Sequence, residues 1–236
     1  MARNDFRRSP PPQPRRGKPE KPAPTGFRKF LRRLFVWGGS LALLGLLALV
    51  VAVGLTAQSL PSFDQIKSTQ TEQMIVVRAR DGTQLVSLGP SYGKWVGDKQ
   101  IPQVMKDAML STEDKRYYSH VGIDPIGLVR SFWVRVRDGR FSQGGSTITQ
   151  QLARTVFLNN SRTFGRKLRE GVLALALEWK FSKGQILELY LNKVYFGGGA
   201  YGVDSAARKF FGHPADEITL PEAAIIAGLV KAPSPY

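Results

Sequence analysis

The chain has 236 residues and no cysteine, which excludes disulfides, thiolate metal sites and cysteine nucleophiles. Its two histidines, His120 and His213, are too few for a histidine-rich metal centre. The formal charge of +16 is concentrated at the start, where residues 1–33 hold 11 Lys/Arg against 2 Asp/Glu. In front of an apolar run, such a tail suits an anionic membrane surface better than nucleic acid.

Residues 1–33 are expected to form a disordered cytoplasmic tail, because seven of the fifteen prolines fall within residues 1–26. Leu34 to Ala57 is then free of charge for 24 residues. As a helix it would rise roughly 36 Å, enough to cross a bilayer. Arg28, Lys29, Arg32 and Arg33 precede it, so the positive-inside rule puts the N-terminus in the cytoplasm and the rest outside. The other reading, a cleaved signal peptide, fits worse: the run is long and Leu55-Thr56-Ala57 is a poor cleavage site. Residues 58–100 read as an extended linker with a β hairpin turning at Asp81-Gly82. From residue 101 to 236 the pattern is helical. Asp124-Pro125 opens a helix that Gly139 closes; Ser146 caps one through Phe157; Thr163 caps one of about 18 residues. Ser182 with Gln185, and Thr219 with Glu222, form capping boxes for two more.

Four stretches carry the candidate chemistry. Glu113-Asp114-Lys115-Arg116-Tyr117-Tyr118-Ser119-His120 packs an acidic pair, a basic pair, two aromatics and a histidine into a loop, although a solvated ion pair would look similar. Ser146, Thr147, Gln150 and Gln151 place hydrogen-bonding groups at a helix start, where free N–H groups and the helix dipole favour anions such as phosphate. Arg166 and Glu170 are four apart and share a helix face, which is also what a surface salt bridge needs. Ile186 to Gly202, with its three consecutive glycines, is mostly structural, with Glu188 and Asn192 orienting neighbours. Ser91-Tyr92-Gly93-Lys94 fits the S-x-x-K of penicillin-binding transpeptidases, but no partner motif follows.

In this order and spacing, STEDKRYYSHVGID, GGSTITQQLAR, RKLREGVLALALE, ILELYLNKVYFGGGAYG and LPEAAIIAGLVKAPSPY resemble the family 51 peptidoglycan glycosyltransferases. These are the lysozyme-like domain of class A penicillin-binding proteins and of monofunctional transglycosylases. The resemblance implies a mainly α, lysozyme-like glycosyltransferase domain with a small N-terminal β hairpin, preceded by one transmembrane helix in the inner membrane, with its catalytic domain extracytoplasmic. The chain stops at Tyr236, where a class A protein would continue, so it reads either as a truncation or as a monofunctional enzyme.

By position the resemblance makes Glu113 the general base and Glu170 the second carboxylate, with Arg154, Arg166 and Lys167 on the lipid pyrophosphate. Asp114, His120, Ser146, Thr147, Gln150 and Gln151 complete the implied site. The substrates would be lipid II and the growing lipid-linked glycan strand, and cell-wall synthesis proteins would be the partners, with no nucleic acid. No cofactor is required, and a divalent cation, Mg or Mn, bound with the pyrophosphate stays open. The chemistry is self-consistent. A sugar hydroxyl is a poor nucleophile, a positioned carboxylate that takes its proton supplies about 10²–10⁴-fold, and cations stabilise the leaving pyrophosphate. Direct displacement inverts the sugar carbon. A lysozyme-like hydrolase would not need the phosphate-binding cations, and a non-catalytic membrane scaffold would not need Glu113.

Overall fold

The computed structural model describes residues 26–69, 75–88, 91–138, 145–158 and 163–231. Residues 1–25, which hold the proline-rich stretch, residues 139–144 and the last five residues lie outside the described residues. By internal contacts the chain divides into two units, residues 1–46 and 47–236.

The apolar run forms a single helix, α1 (Gly26–Ser59), long and apolar enough to cross a membrane. It starts eight residues before the expected Leu34, so Arg28, Lys29, Arg32 and Arg33 are wound into its first two turns rather than into the tail. Within the first unit its large side chains, Leu41, Leu43 and Leu44 among them, are exposed, as a lipid-facing helix requires. In the second unit the same helix changes character, and Val53 and Ala57 are buried in the domain core with Leu60 and Ile66.

The second unit is mainly α. After α1 come α2 (Phe63–Ser68), α3 (Gln103–Glu113), α4 (Pro125–Asp138), α5 (Ile148–Phe157), α6 (Phe164–Lys180), α7 (Lys183–Lys193), α8 (Val203–Phe211) and α9 (Leu220–Lys231). From Ile186 to Lys193, Glu188 apart, α7 is buried. Ile186, Leu187, Leu189, Tyr190 and Leu191 are all inaccessible, which makes α7 the axis of the core. α5 packs on both α6 and α7, and α3 packs on α9. The hairpin forms as expected, with β1 (Ile75–Arg78) antiparallel to β2 (Gln84–Leu88).

Two expectations need correction. The stretch 58–100 is not simply an extended linker. It contains α2, capped by Ser62 with Gln65, and a short strand β3 (Ser91–Tyr92) that runs parallel to β4 (Ala200–Tyr201). Asn192 grips this stretch at both ends of its amide, accepting from Val96 N–H (2.9 Å) and donating to Val96 O (2.8 Å). Glu188 takes the Trp95 indole N–H (2.7 Å) and the Asp98 N–H (3.0 Å). The globular part therefore begins ahead of residue 101. Ser91, the candidate S-x-x-K serine, is a strand residue whose carbonyl and hydroxyl both meet the Ser205 hydroxyl. The second correction is the α5 cap, which is Thr147 and not Ser146. Only Thr147 has Gln150 three residues on to complete the reciprocal capping box.

Candidate active site

Glu113 is the last residue of α3, half-buried where the helix meets the loop to α4. Its Oε2 accepts a hydrogen bond from Gln151 Nε2 (2.7 Å), one turn into α5. Gln151 Oε1 in turn accepts from the hydroxyl of Tyr190 (3.2 Å) on the core helix α7. Burial, with the Glu113 charge as the next cause, pushes the Tyr190 phenol well above its ordinary value. The phenol thus stays a neutral donor, and the Gln151 amide has its oxygen engaged and its N–H₂ turned toward the carboxylate.

The loop behind Glu113 is pinned at several points. The Asp114 carboxylate is buried and accepts from His120 Nε2 (3.0 Å) and from the backbone N–H of Ile148 (3.1 Å) at the start of α5. A carboxylate at that helix end is favoured by the dipole. The Thr147 hydroxyl donates to Gly122 O (2.6 Å). Gly122 has φ +84° and lies so close to α6 that a Cβ would sit 2.8 Å from Ala174 O. Arg116 pairs with Asp124, which also caps α4 by accepting from Gly127 N–H (2.9 Å). Loop, α4 and α5 are thus one hydrogen-bonded frame around Glu113.

This frame encloses a cleft of ≈ 570 Å³. Glu113 and Gln151 stand on its wall with four cations, Lys115, Arg116, Arg130 and Arg154. Of the carboxylates among the described lining residues, Asp124 is paired with Arg116 and Asp114 with His120, which leaves Glu113 without a cation partner on a cationic surface. Among the described residues no group of three or more His, Asp or Glu is arranged to hold a metal by itself.

All the residues singled out as site residues but Arg166 fall into three positions. Glu113, Asp114, Ser146, Thr147, Gln151 and Arg154 line the cleft. His120 and Gln150 support it from behind, through Asp114 and through the Thr147 cap. Lys167 and Glu170 adjoin it: the Lys167 ammonium bridges Ser146 Oγ (2.9 Å) and the Glu170 carboxylate, whose residue is 0% exposed. Arg166 does not line the cleft and is not the partner of Glu170. Residues three and four positions away on a helix both reach a carboxylate, and here the flexible lysine three residues back takes it. Arg166 Nε and Glu170 Oε2 are buried without a partner among the described residues. The cationic wall was expected from positions 154, 166 and 167; only Arg154 of the three is in the lining. Sequence reasoning missed Arg130 and gave Lys115 and Arg116 no role. The signal for Arg130 was its place on the same α4 side as Gly127 and Ser131, which also line the cleft.

A family model described as Transglycosylase matches residues 81–236, the hairpin turn and everything after it. The chain belongs to the transglycosylase family. Its curated relatives include penicillin-binding protein 1A of Haemophilus influenzae, 45% identical over 192 residues (81% of this chain, 22% of the relative). The Escherichia coli protein of the same name is 45% identical over 177 residues (75% and 21%). That of Vibrio cholerae is 39% identical over 206 residues (87% and 25%). The chain spans about a quarter of the length of these relatives. The transglycosylase match takes in every element of the cleft, from α3 to α9.

Proposed function

We propose that this transglycosylase domain is a peptidoglycan glycosyltransferase that extends glycan strands from lipid II, with Glu113 as the general base. The observation that carries the reading is the single unpaired carboxylate set by Gln151 on the wall of a cleft lined by Arg154, Arg116, Arg130 and Lys115. In this scheme the 4-hydroxyl of one lipid-linked disaccharide attacks C1 of the other, whose bond to the lipid pyrophosphate breaks. The hydroxyl proton passes to Glu113. The cations take the charge that develops on the leaving pyrophosphate. Direct displacement inverts C1. Lys167 and Glu170 adjoin the cleft through Ser146. Any Mg or Mn ion that accompanies the pyrophosphate would take its ligands mainly from phosphate oxygens.

The reading also accounts for the exposed apolar side of α4. Gly127, Arg130 and Ser131 turn one side of that helix to the cleft. Ile126, Val129, Trp133 and Val136 recur on the other side and are exposed, as is Phe132. A helix that is cationic and polar toward the cleft and apolar outward suits the outer surface of a bilayer, where lipid-linked substrates reside. In this scheme α1 anchors the enzyme with its N-terminus in the cytoplasm.

The test is polymerisation of purified lipid II by the wild type and by Glu113→Gln, which keeps the hydrogen bond geometry of the side chain and removes the base. A loss of about 10²–10⁴-fold is expected. Equal polymer from both proteins would remove the base assignment, and disaccharide released from finished glycan would favour a hydrolase.

A further inference from the structure

A second, smaller cavity of ≈ 130 Å³ lies apart from the cleft, between α2, the β3–β4 pair and the end of α7. Lys67, Lys94 and Lys193 line it with the rings of Tyr92, Trp95 and Tyr201. We propose that this cavity is a binding site for a phosphate-bearing anion, separate from the glycosyl-transfer cleft.

The argument starts from Lys193. It is only 7% exposed, and its ammonium donates to Thr69 O, a neutral carbonyl. One carbonyl leaves two of three N–H groups of a buried cation without an oxygen partner. Burial accordingly pulls its pKa below the ordinary lysine value. Ion pairs among the described residues engage Lys106, Lys167 and Lys183, and none of the three cavity lysines. A second ammonium is held close by: Lys67 and Lys193 stand 5.3 and 5.8 Å from the centre of the same Trp95 indole. The indole attracts both cations without neutralising either. Among the described residues the one carboxylate in the lining, Asp204, is already committed to Lys94 N–H (2.7 Å), Ala215 N–H (3.1 Å) and the Arg208 guanidinium (2.9 Å). Among the described residues the cavity therefore joins three lysines to aromatic side chains with no ion pair to any of the three. An anion with several acceptor oxygens satisfies the free N–H groups.

Size and position narrow the ligand. The space is under a quarter of that of the main cleft, which suits a phosphate on a short stem and not a lipid-linked disaccharide. Lys67 belongs to α2, which begins four residues after the apolar helix α1 ends. The phosphate can accordingly be that of a phospholipid headgroup or of a soluble phosphomonoester.

The full-length chain distinguishes these sources. The probe is the ¹⁵N indole signal of Trp95, assigned with Trp95→Phe, in nanodiscs of phosphatidylcholine or of phosphatidylglycerol. sn-Glycerol 3-phosphate is titrated against sodium chloride of equal ionic strength. A soluble ligand predicts a saturable shift in both kinds of disc. A headgroup ligand predicts a signal already displaced in phosphatidylglycerol and no longer responsive to the titrant. In either case Lys67→Met, at an exposed position that leaves the core intact, weakens the response tenfold or more, and Lys193→Met abolishes it. A Trp95 signal that follows sodium chloride equally, or a response that survives Lys67→Met unchanged, would overturn the proposal.

Discussion

Tyr190 never reaches the cleft, yet it decides what Glu113 meets there. Its hydroxyl requires an acceptor, so it selects the oxygen end of the Gln151 amide and leaves the N–H₂ for the carboxylate. Without that hydroxyl the amide can turn over and present oxygen to oxygen. Tyr190→Phe keeps the buried ring and removes only the donor, a loss worth about 1 kcal/mol. The expected outcome is a fall in kcat of roughly five- to tenfold with KM unchanged. An equal change in KM, or none in kcat, would show that the hydrogen bond is merely structural. Gly122→Ala acts on the same loop through the backbone. Residue 122 must keep a positive φ while its Cβ meets Ala174 O. The strain should cost about 1–3 kcal/mol, read as a lower midpoint of thermal unfolding. At this scale the sequence spoke through residue type. Glu113, Gln151 and Arg154 were recognisable as a carboxylate, an amide and a cation, while the role of Glu113 came only from the resemblance. What it did not specify was partnership. The choice of Lys167 over Arg166 for Glu170 depends on how far each stem bends, and spacing allows both.

Helix boundaries were legible wherever a cap residue had its partner three positions on, as at Ser182 with Gln185. Where two cap residues stood side by side, at Ser146-Thr147, Gln150 decided in favour of Thr147, and the sequence contained that answer. The β3–β4 pair was not legible, because strands of two residues have no periodicity and their partners lie more than a hundred positions apart. The contact between the end of α8 and the start of α9 yields a pH prediction. His213 Nε2 donates to Glu222 (3.0 Å) and Nδ1 to Pro214 O (3.0 Å), so both ring nitrogens face acceptors and the imidazolium is favoured. The Glu222 hydrogen bond, then the Pro214 carbonyl, raise the His213 pKa. The same pairing, with help from Thr219, lowers Glu222 from 4.5 to about 2. A raised histidine stabilises below its free value of 6.5 and loses the effect as pH rises through the folded value. A depressed carboxylate stabilises above 4.5 and loses the effect as pH falls toward 2. Both contributions are therefore complete between pH 4.5 and 6.5. The thermal midpoint of wild type over His213→Gln should be largest in that window and shrink on either side. A difference independent of pH would mean that the pair contributes no charge to folding.

For the molecule as a whole, the apolar run is not one thing. Hydropathy alone placed a helix there, and a helix is there, but hydropathy does not separate side chains that face lipid from side chains that face a core. Up to Leu46 the helix belongs to its own unit, whereas Val53, Ala57 and Leu60 complete the core of the second. The membrane-length helix and the second unit therefore overlap in sequence, and the place of a cut matters more than its length. Removing residues 1–46 should leave the thermal midpoint of the domain within a few degrees of the full chain in the same detergent. Removing residues 1–60 takes away Val53 and Leu60, which are nearly inaccessible at 5% and 6% exposure, and opens the core around Ile66. Losing two such side chains costs about 1.5–3 kcal/mol each in burial alone. In a domain of this size every kcal/mol lowers the midpoint by roughly 2–4 °C. The longer deletion should accordingly unfold about 6–24 °C earlier than the shorter one. Equal midpoints for the two deletions would mean that the end of α1 is only a tether and that the core closes without it.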